Sequence, residues 1–313
     1  MLNTGLSDEV LAITQGASIC LVTGKGGVGK STFSRLLANL AARTSKNVLL
    51  VRLSDFTDLA PIDADASDRP AVDTSPEISS NRGGYRVMNL EPKTVLIEYL
   101  IDHGLGSVAS KLLSTGIINV VATAIPGIRD LLLLGKLKQL DATGDFDLIV
   151  VDLPASGHAL TFLTTPAGLL EIARVGPLRT QAEDVMAMLE DHKRASCVIV
   201  TIPEETPVTE SLELLDSIRT RTALKVASLA VNQILPHIGA SSQPIEHFDP
   251  DAQKAWDFRQ QKFSSQMQQL SRLVDKFDET VVATEIVDTP GGRPDTDQLI
   301  DSFSIIKHRS ANP

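Results

Sequence analysis

Residues 24 to 32 read Gly24-Lys25-Gly26-Gly27-Val28-Gly29-Lys30-Ser31-Thr32. Glycine at four of the first six positions clears side chains from a turn, so that successive backbone N–H groups converge on a polyphosphate. Lys30 is placed to neutralise the outer phosphates, Ser31 to give its hydroxyl to Mg²⁺, and Thr32 to reach an inner phosphate. A second cluster lies at Asp152-Leu153-Pro154-Ala155-Ser156-Gly157-His158, directly after the apolar run 148–151. A carboxylate at such a strand end reaches the same edge of the sheet as the glycine loop, where it would hold a Mg²⁺-bound water. Gly157 would turn a backbone N–H toward the last phosphate, and His158 would relay the state of the ligand.

These groups need a strand before the glycine loop and a helix after it. The run 18–23 is short and apolar, and Phe33, Leu36, Leu37, Leu40 and Ala41 recur at helical spacing on one face. Further apolar runs at 47–53, 147–153, 196–201, 226–232 and 280–284 alternate with helical patterns. That alternation predicts an α/β fold with a parallel doubly wound sheet covered on both faces, and the glycine loop makes the expectation a P-loop NTPase sheet. The interval after the second strand divides in two. Residues 57–87, rich in Asp, Pro, Ala and Ser, read as an extended or mobile loop. Residues 93–140, rich in Leu and Ile, read as a helical insert. The expected organisation is a nucleotide-binding domain over 1–92 and 141–313 with a helical insert subdomain over 93–140 and part of 163–195.

Composition bounds the function. With 313 residues and 42% hydrophobic content the chain is able to bury a large core. No apolar stretch is long enough to span a membrane, and Asp8 and Glu9 do not suit a signal peptide, so a cytoplasmic protein is expected. A net charge of −10 argues against general nucleic-acid binding, and the basic residues of 174–194 are interleaved with acids, as on a solvated helix face. Cys20 and Cys197 sit inside apolar runs and read as small buried hydrophobes. His103, His192, His237, His247 and His308 lack metal-ligand spacing. The tail 302–313 is too short and too weakly apolar for stable membrane insertion.

Lys25 separates this loop from the common form. The Lys-Gly-Gly-x-Gly-Lys-Ser arrangement resembles the deviant Walker A ATPases, which include the arsenite-pump ATPase, the tail-anchored-protein targeting factor, the MinD and ParA families and the nitrogenase iron protein. In that class the front lysine reaches the nucleotide of the facing subunit, which implies ATP, Mg²⁺ and a dimer. The pattern from Asp152 through Gly157 and His158 is similar to the second switch of the arsenite-pump and tail-anchored-targeting family. Pro126-Gly127-Ile128, Ile202-Pro203-Glu204 and Val231-Asn232-Gln233 also look like that family. The resemblance implies that Asn232 contacts adenine and that the loop 288–292, with Pro290, closes the base pocket; an ordinary Pro-Gly turn explains that loop equally well.

Three departures stand out. The family's first switch begins with an aspartate that orients the attacking water, but an ungapped register places Ser54 there and Asp55 one residue late. Asp55 is either that base after a loop shift or a strand-end cap. The stretch 251–261 has no Cys-x-x-Cys pair, so a zinc-bridged dimer is not expected. Two strand-buried cysteines do not make a soft arsenite site. The resemblance therefore implies a Mg-ATP-dependent dimeric switch ATPase, with Lys25, Lys30 and Asp55 as catalytic groups, acting on a hydrophobic protein client or membrane partner. One alternative is a weakly catalytic subunit paired with a paralogous ATPase; another is a MinD- or ParA-like positioning ATPase.

Overall fold

Strand runs that are apolar at successive positions carry apolar side chains on both faces and must be sandwiched. A computed structural model of the chain, describing residues 2–53, 78–80, 84–115, 127–237, 249–286 and 296–307, places them at the centre of a nine-stranded sheet. The strands are β1 (Ile19–Gly24), β2 (Val48–Leu53), β3 (Ile78–Ser80), β4 (Arg86–Leu90), β5 (Leu148–Asp152), β6 (Ala195–Thr201), β7 (Lys225–Ile234), β8 (Thr280–Glu285) and β9 (Phe303–Lys307). Their order is β3-β4-β2-β5-β1-β6-β7-β8-β9. From β4 to β8 all neighbours are parallel, while β3 and β9 run antiparallel at the two edges.

Ten helices are present among the described residues: α1 (Leu2–Thr14), α2 (Lys30–Arg43), α3 (Pro92–Asp102), α4 (Gly106–Ser114), α5 (Ile128–Thr143), α6 (Ser156–Ile172), α7 (Pro177–Glu190), α8 (Glu205–Arg221), α9 (Pro250–Lys276) and α10 (Thr296–Asp301). Alternation along the strands splits the interior into two clusters. Cys20, Val22, Leu50 and Val150 pack with Ile13 of α1, Phe33, Leu36 and Leu37 of α2, and Leu299 of α10. Leu21, Val51, Val151 and Cys197 face the opposite way, against α3 and α5 to α9. Leu131 to Leu134, Leu137 and Leu140 of α5 belong to this second cluster, so the leucine-rich stripe packs into the core beneath the sheet.

One expectation changes, and the tail adds a strand. The sequence predicts a loop over 57–87, yet residues 78–80 and 86–90 are strands, with β4 paired in parallel to β2 from Leu49↔Arg86 to Leu53↔Leu90. β4 is only five residues long, and its exposed Asn89 and half-buried Arg86 break the apolar run that marks a fully covered strand. Residues 54–77 and 81–83 lie outside the described residues. In the tail, residues 303–307 form β9, whose strict alternation of half-buried and exposed side chains is that of a strand covered on one face.

Candidate nucleotide site

β1 ends at Gly24 and α2 begins at Lys30, so residues 25–29 make the whole turn. Two glycines are dictated by contact. Gly24 has φ 148 and lies against the Val200 carbonyl of β6, and Gly29, in the left-handed region at φ 93, lies against the Asn232 amide; a Cβ at either would overlap its neighbour. Gly26 and Gly27 face open space, which is the shape a phosphate chain requires. Val28 is buried and ties the loop to the core. Lys30 is folded back on its own loop, Nζ donating to the Lys25 carbonyl at 3.0 Å. Burial lowers its pKa, and the charge of Asp152 works in the opposite sense.

Asp152 and Arg52 are register partners on the adjacent parallel strands β5 and β2, so their side chains leave the sheet on the same face as α2. The Asp152 Oδ1 atom is buried and accepts no hydrogen bond among the described residues. Burial raises the carboxyl pKa, opposed by the Ser31 hydroxyl within hydrogen-bonding reach and then by the charges of Lys30, Arg52 and Arg35. A carboxylate with a spare oxygen, a serine hydroxyl beside it and an adjacent lysine suit a Mg²⁺ ion carried by a polyphosphate. Gly157 is the second residue of α6, where a backbone N–H has no intrahelical acceptor, and His158 beside it is exposed. The N-termini of α2 and α6 therefore follow the ends of neighbouring strands, and each favours an anion.

A cleft of about 580 Å³ opens from the loop and the first turn of α2, with Lys30, Ser31, Thr32 and Arg35, toward Asn232, Gln233, Glu285 and Ile286. Asn232 joins the two sides. Its Nδ2 donates to the Val28 carbonyl at 3.0 Å, while its Oδ1 accepts from Thr284 Oγ1 at 2.5 Å and from the Gln233 N–H at 3.0 Å. These contacts orient the amide, leaving its second N–H as the spare donor.

Lys25 is held within the chain, its Nζ 2.6 Å from Glu210 Oε1 on α8. Thus the structure brings together residues 24–32, Asp152 and Asn232 and puts Gly157 in the first turn of the helix after the neighbouring strand β5, while Asp55 and Pro290 lie outside the described residues. Sequence reasoning missed Glu210, Arg52, Arg35 and Thr284. Arg52 alone carried a signal, a cation next to the end of an otherwise apolar strand, two residues before Ser54. Cys20 and Cys197 are free and fully buried, which pushes the Cys20 thiol up to about 12 and raises Cys197 as well, away from the thiolate form that binds soft metals.

A model of the anion-transporting ATPase family matches residues 17–181 and again 170–289. The chain belongs to this family. Among similar proteins, ATPase BagA of Mycobacterium tuberculosis is 31% identical over 228 residues, 71% of this chain and 66% of BagA. ATPase GET3A of Arabidopsis thaliana is 29% identical over 178 residues, 54% of this chain and 46% of that protein. ATPase GET3 of Chaetomium globosum is 27% identical over 164 residues, 51% of this chain and 46% of its own length. The chain thus matches just under two thirds of the mycobacterial relative and less than half of the other two. Both the glycine loop and Asp152 fall inside the first stretch matched by the anion-transporting ATPase model, and Asn232 falls inside the second. No helix among the described residues is long and apolar enough to cross a membrane.

Proposed function

We propose that this chain is a Mg-ATP-dependent switch ATPase that works as a dimer and couples nucleotide state to the binding of a hydrophobic protein client. The observation that carries the reading is the unpartnered Asp152 Oδ1, buried beside Ser31 and Lys30 at the mouth of an open glycine turn. Mg²⁺ bound with ATP would supply positive charge between Ser31, Asp152 and the outer phosphates. The chain's own groups do the rest. Loop amides and Lys30, once released from the Lys25 carbonyl, neutralise the phosphates; the Gly157 N–H faces the last of them; Asn232 directs its spare N–H at the base. Lys25 leaves Glu210 and reaches the nucleotide of the facing subunit, in the manner of the deviant Walker A class.

A client surface is supported by apolar side chains left in solvent on the helical layer. Ile101, Leu105 and Val108 are exposed at the α3–α4 corner, and Ile172 (79% exposed) and Val175 (86%) flank the end of α6. We assign these to the insert spanning 93–140 and part of 163–195. A second reading, a nucleotide-binding subunit that hydrolyses only with a paralogous partner, is favoured by Arg52 beside Asp152 at the end of β2 and by the ungapped sequence register that puts Ser54 rather than an acid at the first-switch position.

The test is Mg-ATP turnover by the purified chain across a range of concentrations, with nucleotide occupancy measured in the same samples. Turnover per chain that rises with concentration and disappears in Lys25→Ala is the expected result for a self-sufficient dimer. Full occupancy without turnover would select the second reading. A chain that binds no nucleotide would sink both.

A further inference from the structure

We propose that Gln266, on α9, is a positioning residue for the nucleoside half of the ligand, holding the backbone of residues 233–235 in the conformation that sets Asn232 and Gln233 against the cleft. This rests on the nucleotide reading above and extends it to a residue that lies outside the cleft.

The need for a clamp arises in β7. Its pairing with β8 is regular as far as Val231↔Ala283, then shifts register before Ile234↔Glu285. Inside that irregularity Gln233 adopts φ 61, a left-handed conformation that side-chain-bearing residues rarely take. A bulge of this kind re-aims side chains, and it also breaks the ladder, leaving backbone groups to be satisfied elsewhere. Gln266 supplies both missing partners. Its Oε1 accepts from the Leu235 N–H at 2.8 Å, and its Nε2 donates to the Gln233 carbonyl at 3.2 Å. One primary amide therefore bridges the two ends of the bulge as a neighbouring strand would.

The setting makes the role specific. α9 is 27 residues long, and Gln266 and Leu273 are its buried positions; Gln266 is only 3% exposed. An apolar residue would cost less at such a place unless both ends of the amide were used, and both are. No other side chain fits equally. Leu fills the volume and leaves an N–H and a carbonyl unpaired; Glu accepts from Leu235 but sets a carboxylate against the Gln233 carbonyl; Asn is one methylene short. The clamp continues into the site, because the Gln233 N–H donates to Asn232 Oδ1 and the Asn232 amide in turn donates to Val28 of the phosphate loop. Loosening 233–235 releases the side of the cleft that reads the nucleoside, whereas the glycine turn keeps its own supports at Val28 and Gly24.

The experiment is calorimetric titration of the full-length chain, and of Gln266→Leu and Gln266→Glu, with Mg-ATP and separately with inorganic tripolyphosphate. For the variants, Kd for Mg-ATP is expected to rise on the order of tenfold through the two lost hydrogen bonds, with tripolyphosphate changed by less than about twofold. Tripolyphosphate binding in the same variant also reports that the phosphate loop is folded. Equal weakening of both ligands would make Gln266 a support of the fold at large and overturn the proposal, as would unchanged Mg-ATP binding. A wild-type chain that held tripolyphosphate as tightly as Mg-ATP would overturn the clamp and leave the phosphate loop standing. Binding of neither ligand by the wild type would overturn the nucleotide reading itself.

Discussion

Asp152 is half-buried with one carboxylate oxygen shut away from solvent, and that placement has a thermodynamic signature of its own. The unfolded chain titrates this carboxyl near its ordinary value of 3.8, whereas burial in the fold holds the proton to higher pH. Between those two values the folded state binds more protons, so stability relative to the unfolded chain falls as pH rises from 3.8 through the raised value. Asp152→Asn is therefore expected to raise the melting temperature of the ligand-free chain at neutral pH, to flatten the acid side of its pH–stability profile, and to weaken Mg-ATP binding. Thermal scans from pH 3 to 8 check the sign; a lower melting temperature at pH 7 would refute it. Asp152, Lys30 and Ser31 were legible because each stands within a local pattern of strand, turn and helix. Glu210 was not, since it meets Lys25 across 185 residues of chain and its own neighbourhood reads as an ordinary helix.

Among the elements, those buried on both faces were readable and those at the margins were not. β1, β5 and β6 announce themselves as continuous apolar runs, and α2 by its 3.6-residue stripe. β4 escaped because a five-residue strand with polar interruptions has no period to detect, and β9 because its burial alternates while its residue types, Phe-Ser-Ile-Ile-Lys, do not. The bulge in β7 also carries no sequence signal, because its left-handed residue is a glutamine where a glycine would mark it. α5 offers the sharpest test of how this layer is held. Leu134 is fully buried among the sheet and its neighbouring helices, so Leu134→Ala is expected to cost about 2–5 kcal/mol. Urea unfolding measures this directly; a loss below about 1 kcal/mol would show α5 free to relax away from the sheet.

For the whole molecule, the decisive contact is the one that keeps Lys25 at home. Its pair with Glu210 is about a third exposed on each side, so Glu210→Gln is expected to change unfolding free energy by no more than about 1 kcal/mol. The same small term reappears in assembly if Lys25 must leave Glu210 before facing a second subunit. With Mg-ATP, the variant is then expected to dimerise at a chain concentration up to about fivefold lower per released lysine. Sedimentation velocity over a concentration series reads this, and an unchanged or higher midpoint would separate Lys25 release from dimer formation. The manner of assembly is further restricted by the sheet's margins. An edge strand is a template on which another chain is able to grow a continuous sheet, and aggregation follows when that template is long and flat. Among the described residues the outermost strands are reversed and short, three residues in β3 and five in β9, and Lys307 of β9 turns its ammonium onto the Val274 and Phe277 carbonyls at the end of α9. Both described flanks are thereby poor seeds for strand addition, which on the proposed dimer reading keeps association of two chains from passing into irreversible sheet growth.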